Sequence, residues 1–235
     1  MNILLTNDDG YNSEGILLLA KLLKKYGNVV IVAPDSPRSG NSAALSIGKP
    51  LHLEKVENNI YKLDGTPVDC VSVGLRAFNI EFDLVVSGCN HGWNISYDTI
   101  YSGTVGAALQ ALIGGVPSFA VSVNKDFFLV EKYFDLVYDF ITKNKLVSKE
   151  YMLNINFPDD EVKDIRLGKL YYRNDKFSLI SAHGGLISWR ELDANQGDED
   201  SDCYQVNHGV VSIVPLSKSY FHNSLYLELI NKIQK

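Results

Sequence analysis

What most restricts the fold of this chain is the alternation of short β-rich apolar runs with amphipathic helical segments up to Lys145. Met1-Asn2-Ile3-Leu4-Leu5-Thr6 is the first run. Residues 14–25 then carry Ile16, Leu17, Leu19, Ala20, Leu22 and Leu23 at helical spacing, with Ser13 as the expected cap and Gly27 as the end. Residues 29–33 read as a second buried strand, followed by loop chemistry over 34–42 and a short β excursion over 51–56 and 60–63. Gly65-Thr66-Pro67-Val68-Asp69 announces a helix, with Thr66 as N-cap, Pro67 at the first helical position and Asp69 as the capping-box acid. Residues 83–88 form a third core strand. Ser102-Gly103-Thr104 opens a helix expected to turn Ala107, Ala108, Leu109, Leu112 and Ile113 inward. A fourth strand over 117–123 and a helix over 127–143 complete the series. Strands separated by helices of this length require right-handed crossovers. The fold class is therefore α/β: a Rossmann-like, mostly parallel sheet flanked by helices.

After Lys145 the pattern changes. Strands are expected over 151–157, 165–173 and 210–215, and a terminal helix over 225–235. The acid-rich stretch 191–202 reads as a solvated loop without chemistry. The chain is expected to form a single domain over 1–235. Its core covers about 1–145, and a β-rich C-terminal extension over about 146–235 is able to supply a hairpin arm to another subunit.

The 235 residues suffice for a full core, and an apolar fraction of 46% is ordinary for a globular chain. No apolar run approaches the ~20 residues of a membrane span, so no membrane partner is expected. The first residues read as a strand and not as a secretory leader. Cys70, Cys89 and Cys203 are too scattered for a disulfide framework or a CxxC zinc site, and a cytoplasmic location is expected. A net charge of −6 without a basic run argues against a nucleic-acid polymer as partner. It also means that a phosphate ester must be attracted by local features.

Those features begin with Asn7-Asp8-Asp9-Gly10, at the end of the first strand. Two adjacent carboxylates there have two readings: one caps the next helix while the other is solvated, or both face a hard divalent cation. The second strand ends ahead of Ser39, and the third ahead of Asn90. In a doubly wound sheet these ends share one edge. Carboxylates, a hydroxyl and an amide carbonyl form an oxygen-only set, which suits Mg²⁺, Mn²⁺ or Ca²⁺ and not zinc or copper. Ser102-Gly103-Thr104, at a helix N-terminus, supplies free N–H groups for a phosphate. Arg38 adds either a phosphate contact or a solvated charge. His91 lies beside the set, either as a loop histidine in water or as a general acid, whereas His52, His183, His208 and His222 show no metal-like spacing. GxSxG, Walker A, GxGxxG and HExxH motifs are absent, which removes several large enzyme classes.

Taken together, these residues resemble the SurE family, the survival-protein nucleotidases. The resemblance runs nearly end to end. It is carried by Ile3 to Tyr11, Ser13-Glu14-Gly15-Ile16, Val32-Ala33-Pro34-Asp35, Arg38-Ser39-Gly40, Gly65 to Val71, Asp83 to Asn90, Tyr101 to Val105, Leu153 to Pro158 and Gly209 to Leu216. Cys89 departs from the usual aliphatic residue, and His91 and Trp93 stand at variable positions. Trp93 either stacks on a base or covers the site. The resemblance implies divalent-metal-dependent removal of phosphate from nucleoside 5′- and 3′-monophosphates by a homodimer or homotetramer. One Mg²⁺ or Mn²⁺ per subunit would be held by Asp8, Asp9, Ser39 and Asn90. Asp8 and Asp9 are the expected catalytic residues, and Asn94, Ser102, Gly103 and Thr104 the expected substrate contacts. The alternatives are a metal phosphatase for another small ester or for polyphosphate, and a nucleotide-binding module without chemistry.

Overall fold

The computed structural model describes every residue except 183–184, 192–196, 220–225, 227–228, 231 and 233–235. Elements are numbered in chain order. The strands are β1 (Asn2–Thr6), β2 (Asn28–Pro34), β3 (Leu53–Glu57), β4 (Ile60–Leu63), β5 (Leu84–His91), β6 (Ser118–Val123), β7 (Tyr151–Phe157), β8 (Asp164–Leu167), β9 (Lys176–Ala182), β10 (Gly185–Glu191) and β11 (Val210–Ser217). The helices are α1 (Glu14–Leu23), α2 (Pro67–Ala77), α3 (Asp98–Tyr101), α4 (Gly103–Ile113), α5 (Phe128–Lys143) and α6 (Asp202–Asn207).

Nine strands form one sheet in the order β3-β4-β2-β1-β5-β6-β7-β11-β8. The run from β4 to β7 is parallel, and β3 and β11 are antiparallel to their neighbours β4 and β7. The chain leaves β1 toward β2 and later returns to its other side as β5. The order therefore reverses between β1 and β5, where doubly wound sheets open a crevice beyond their carboxyl ends.

Side-chain alternation along the strands divides the core between the two faces. Ile3, Leu5, Ile31 and Val86 pack with the apolar stripes of α1 and α5, among them Ile16, Leu19, Phe134 and Val137. Leu4, Val30, Val32 and Val85 pack on the other face with Cys70, Val71, Ala107 and Ala111 from α2 and α4. α2 starts as the sequence requires. Thr66 and Asp69 make the reciprocal capping box, and Pro67 opens the helix. α1 approaches β5 so closely that a Cβ on Gly15 would lie 2.0 Å from the Cys89 carbonyl oxygen.

Several sequence expectations are corrected. α1 ends at Leu23, before Gly27, as Lys24 to Tyr26 close a turn. Ile113, expected to face inward, is 64% exposed at the end of α4. The 165–173 segment is a strand only over Asp164–Leu167, because beyond it Lys169 bridges to Ser201 instead of continuing the ladder. The 51–63 excursion is the edge of the main sheet. The terminal helix over 225–235 lies mostly outside the described residues. β9 and β10 pair only with each other among the described residues, as a separate hairpin.

Candidate active site

Asn7 shapes the turn that follows β1. Its Nδ2 donates to the Gly10 carbonyl at 3.0 Å and to Ser13 Oγ at 2.7 Å, while its Oδ1 accepts from the Gly10 N–H at 3.2 Å. Gly10, with φ of +105°, takes a conformation that side chains disfavour. Ser13 stands at the N-cap of α1 but makes no capping bond with its side chain, because its hydroxyl serves Asn7 instead. This turn delivers Asp8 and Asp9 to the crevice.

The loop after β2 is tied to the same place by the Arg38 backbone N–H, which donates to the Asp8 carbonyl at 2.7 Å. Ser39 follows at once. The Arg38 guanidinium pairs with Asp35 at 3.0 Å, so it is not the lone solvated charge the sequence suggested. At the end of β5, Asn90 Nδ2 donates to the Gly92 carbonyl at 2.8 Å, which leaves the amide's carbonyl oxygen to face a ligand.

The beginning of α4 lies against Asp8. Ser102 is the N-cap, and its Oγ accepts from the Val105 N–H at 3.1 Å. Thr104 is fully buried, and its hydroxyl donates to Asp8 Oδ1 at 2.6 Å. The Thr104 backbone N–H also faces the Asp8 carboxylate, so both donors of this residue serve that acid. A Cβ on Gly103 would stand 3.0 Å from Asp8 Cβ and 3.1 Å from Oδ2, tighter than side chains normally approach, and glycine there lets the helix end sit beside the carboxylate.

Asp8, Asp9, Ser39, Asn90, Asn94 and Ser102 line one open cleft of about 240 Å³. Gly103 and Thr104 stand behind Asp8. His91 also lines the cleft, exposed, with Nε2 2.9 Å from the Lys125 carbonyl oxygen. Trp93 forms a wall: its Nε1 donates to the Phe157 carbonyl at 2.7 Å, and its ring packs with Ile95, Cys203 and Val206.

Burial pushes the Asp8 carboxyl up to about 6, against the Thr104 hydrogen bond and with some help from the charge of Asp9. Burial also raises Asp9, opposed by the backbone N–H and ring of His91. Among the described residues neither carboxylate makes an ion pair, and no three His, Cys, Asp or Glu side chains gather into a metal cluster. The donor set is therefore mixed: two carboxylates without a salt-bridge partner among the described residues, a hydroxyl and an amide. Such a set fits a hard divalent cation, whose charge would offset the burial of the two acids.

Other residues at the site escaped sequence reasoning. Asp98 and Tyr101, on α3, line the cleft. Asp98 Oδ2 accepts from Arg173 Nη2 at 2.9 Å, and the Arg173 side chain is only 1% exposed. Arg173 also pairs with Asp175, two residues on, at 3.1 Å, but its link to the cleft through Asp98 spans 75 positions and leaves no local signal. Asp202, assigned to a solvated acidic stretch, is fully buried and accepts from the N–H groups of Ser96, Tyr171 and Cys203 at 2.7, 3.1 and 2.8 Å. The readable signal was Ser201, whose hydroxyl caps α6 through the Tyr204 N–H.

Comparison with known proteins accords with this geometry. The family described as Survival protein SurE matches residues 3–176. A protein named 5′-nucleotidase SurE from Mannheimia succiniciproducens is 40% identical over 231 residues, covering 92% of each chain. Another of that name, from Clostridium beijerinckii, is 36% identical over 235 residues, again covering 92% of each. The crystal structure of the SurE protein from Aquifex aeolicus superposes with a TM-score of 0.86 at 33% identity, over 100% of both chains. With the family matched over most of its length and relatives similar nearly end to end, the chain belongs to the SurE family.

Proposed function

We propose that this chain is a divalent-metal-dependent nucleotidase that hydrolyses nucleoside 5′- and 3′-monophosphates to nucleoside and phosphate. The observation that carries the reading is the meeting, in one cleft of a SurE-family chain, of four oxygen-bearing side chains and a helix N-terminus. Asp8, Asp9, Ser39 and Asn90 would hold one cation per subunit, Mg²⁺ or Mn²⁺. Such an ion supplies positive charge against the phosphoryl oxygens.

The protein's own residues do the rest. Val105 and Gly106 N–H groups bond back to Ser102 and the Thr104 N–H faces Asp8, so the Gly103 N–H at the head of α4 is the one left for a nonbridging oxygen. The Ser102 hydroxyl, although it accepts from Val105, keeps its proton to donate. Asn94 lines the same cleft and adds an amide. Thr104 fixes the orientation of Asp8 through its hydroxyl. Preset donors of this kind stabilise charge that grows during phosphoryl transfer without reorganising.

Incubation with AMP and Mn²⁺, followed by assay of free phosphate, tests the reading. EDTA should abolish release, and Mg²⁺ or Mn²⁺ should restore it. A panel of 5′- and 3′-monophosphates, other small esters and polyphosphate then ranks substrates. Absence of phosphate release from every nucleotide would reject the proposal.

We further propose one domain over 1–235 that assembles as a homodimer or homotetramer through the β9–β10 hairpin. In its support, Leu179 and Leu186 are 69% and 71% exposed on a hairpin that joins no other strand among the described residues. No helix among the described residues is long and apolar enough to cross a membrane.

A further inference from the structure

β7 carries a pair of residues that its position in the sheet does not call for. It lies between β6 and β11, and on one face Leu153, Ile155 and Phe157 enter the core. On the other face stand Asn154 and Asn156, both fully buried. An interior strand covered on both sides is normally apolar on both, and a buried amide is costly unless its hydrogen bonds are met.

Their partner is a single residue, Asn94. The side chain of Asn156 engages both backbone groups of Asn94. Its Oδ1 accepts the Asn94 N–H at 2.8 Å, and its Nδ2 donates to the Asn94 carbonyl at 3.1 Å. One side-chain amide thus stands in for a neighbouring strand. Asn154 Nδ2 donates to the same carbonyl at 2.7 Å. Ser122, paired in register with Asn156 on β6, accepts from Asn94 Nδ2 at 2.9 Å and so sets the direction of the side chain. Every one of these groups is buried, where little water competes for the bonds. A loop residue between β5 and α3 is thereby held as firmly as a residue within the sheet.

We propose that Asn156, supported by Asn154 and Ser122, is a positioning residue that fixes the Asn94 amide in the cleft for the phosphoryl group. This inference rests on the proposed role of Asn94 in binding phosphate. It adds that β7, whose residues do not line the cleft, holds one of the substrate contacts in place.

A double-mutant cycle tests it, with affinity for inorganic phosphate in the presence of saturating Mn²⁺, by calorimetry, as the readout. Asn94→Ala and Asn156→Leu should each weaken phosphate binding about tenfold, and the double variant should be no weaker than Asn94→Ala alone. Mn²⁺ affinity should stay within about twofold in all of them. Should Asn156→Leu fail to fold, Asn156→Asp, which keeps the acceptor and the shape, is to enter the same cycle with the same expected coupling. Additive losses, or a loss of Mn²⁺ affinity matching that of phosphate, would overturn the proposal, because Asn156 would then act on the fold at large. AMP hydrolysis by the unaltered protein is scored separately. Coupling without turnover removes the nucleotidase reading and leaves the clamp, whereas turnover with additivity removes the clamp alone.

Discussion

Asp8 is the residue on which most of the site converges, and its environment gives two measurable consequences. Its carboxyl is raised from an ordinary 3.8 to about 6 by burial, so the metal-free folded chain binds a proton more tightly than the unfolded one. That stabilisation is complete below pH 3.8 and is lost as pH rises through about 6. In chelated protein at pH 7, Asp8→Asn should therefore be more stable than the parent by roughly 2 to 3 kcal/mol, and the gap should close below pH 4 in urea titrations. With Mn²⁺ present, the same substitution should cut AMP turnover by orders of magnitude on an intact fold; near-normal turnover would remove Asp8 from catalysis. Thr104→Val deletes the 2.6 Å bond to Asp8 at nearly constant volume. It should raise the Asp8 carboxyl further and weaken Mn²⁺ binding at pH 7 several-fold, as calorimetry would report.

At the level of elements, the site depends on how closely α1 and α4 approach the sheet. Gly15→Ala would set a methyl 2.0 Å from the Cys89 carbonyl oxygen, so α1 must move off β5. A loss of about 2 to 3 kcal/mol is expected from chemical unfolding, with an exposed control such as Leu17→Ala losing far less. Most of these elements were legible because their signals are local. The Thr66-Pro67-Asp69 capping box and the apolar stripes of α1 and α5 lie within a few residues of what they specify. The gathering of Asp8, Asp9, Ser39 and Asn90 in one cleft was legible for a related reason, as a doubly wound sheet brings strand ends to one edge, while their choice as cation ligands leaned on the family resemblance. The features that were missed depend on partners far along the chain. Asp202 looks solvated until Ser96, 106 positions away, is seen to donate to it, and Arg173, which also pairs with nearby Asp175, reaches the cleft only through Asp98, 75 positions away. Ile113 followed the helical period yet fell where α4 runs past its sheet.

For the whole molecule, the two halves of the sequence are not two halves of the function. β7, β8 and β11 all belong to the nine-stranded sheet, and Asp202 and Arg173 reach back to the segment between β5 and α4. The described residue range that stands apart is the hairpin. Replacing Leu179 and Leu186 together by Asp should shift the protein to a monomer in sedimentation velocity, with far-ultraviolet circular dichroism nearly unchanged. An unchanged sedimentation coefficient would remove the hairpin as the assembly surface. The strand order also bears on how the chain is made. Because β11 slots between β7 and β8, a nascent polypeptide emerging from the ribosome has its β7 border bare until residues 210–217 have cleared the exit. An unpaired border of that kind invites other chains to add to it. Translation that stalls in the stretch between β8 and β11 should therefore yield insoluble fragments, although every residue lining the cleft has already been synthesised.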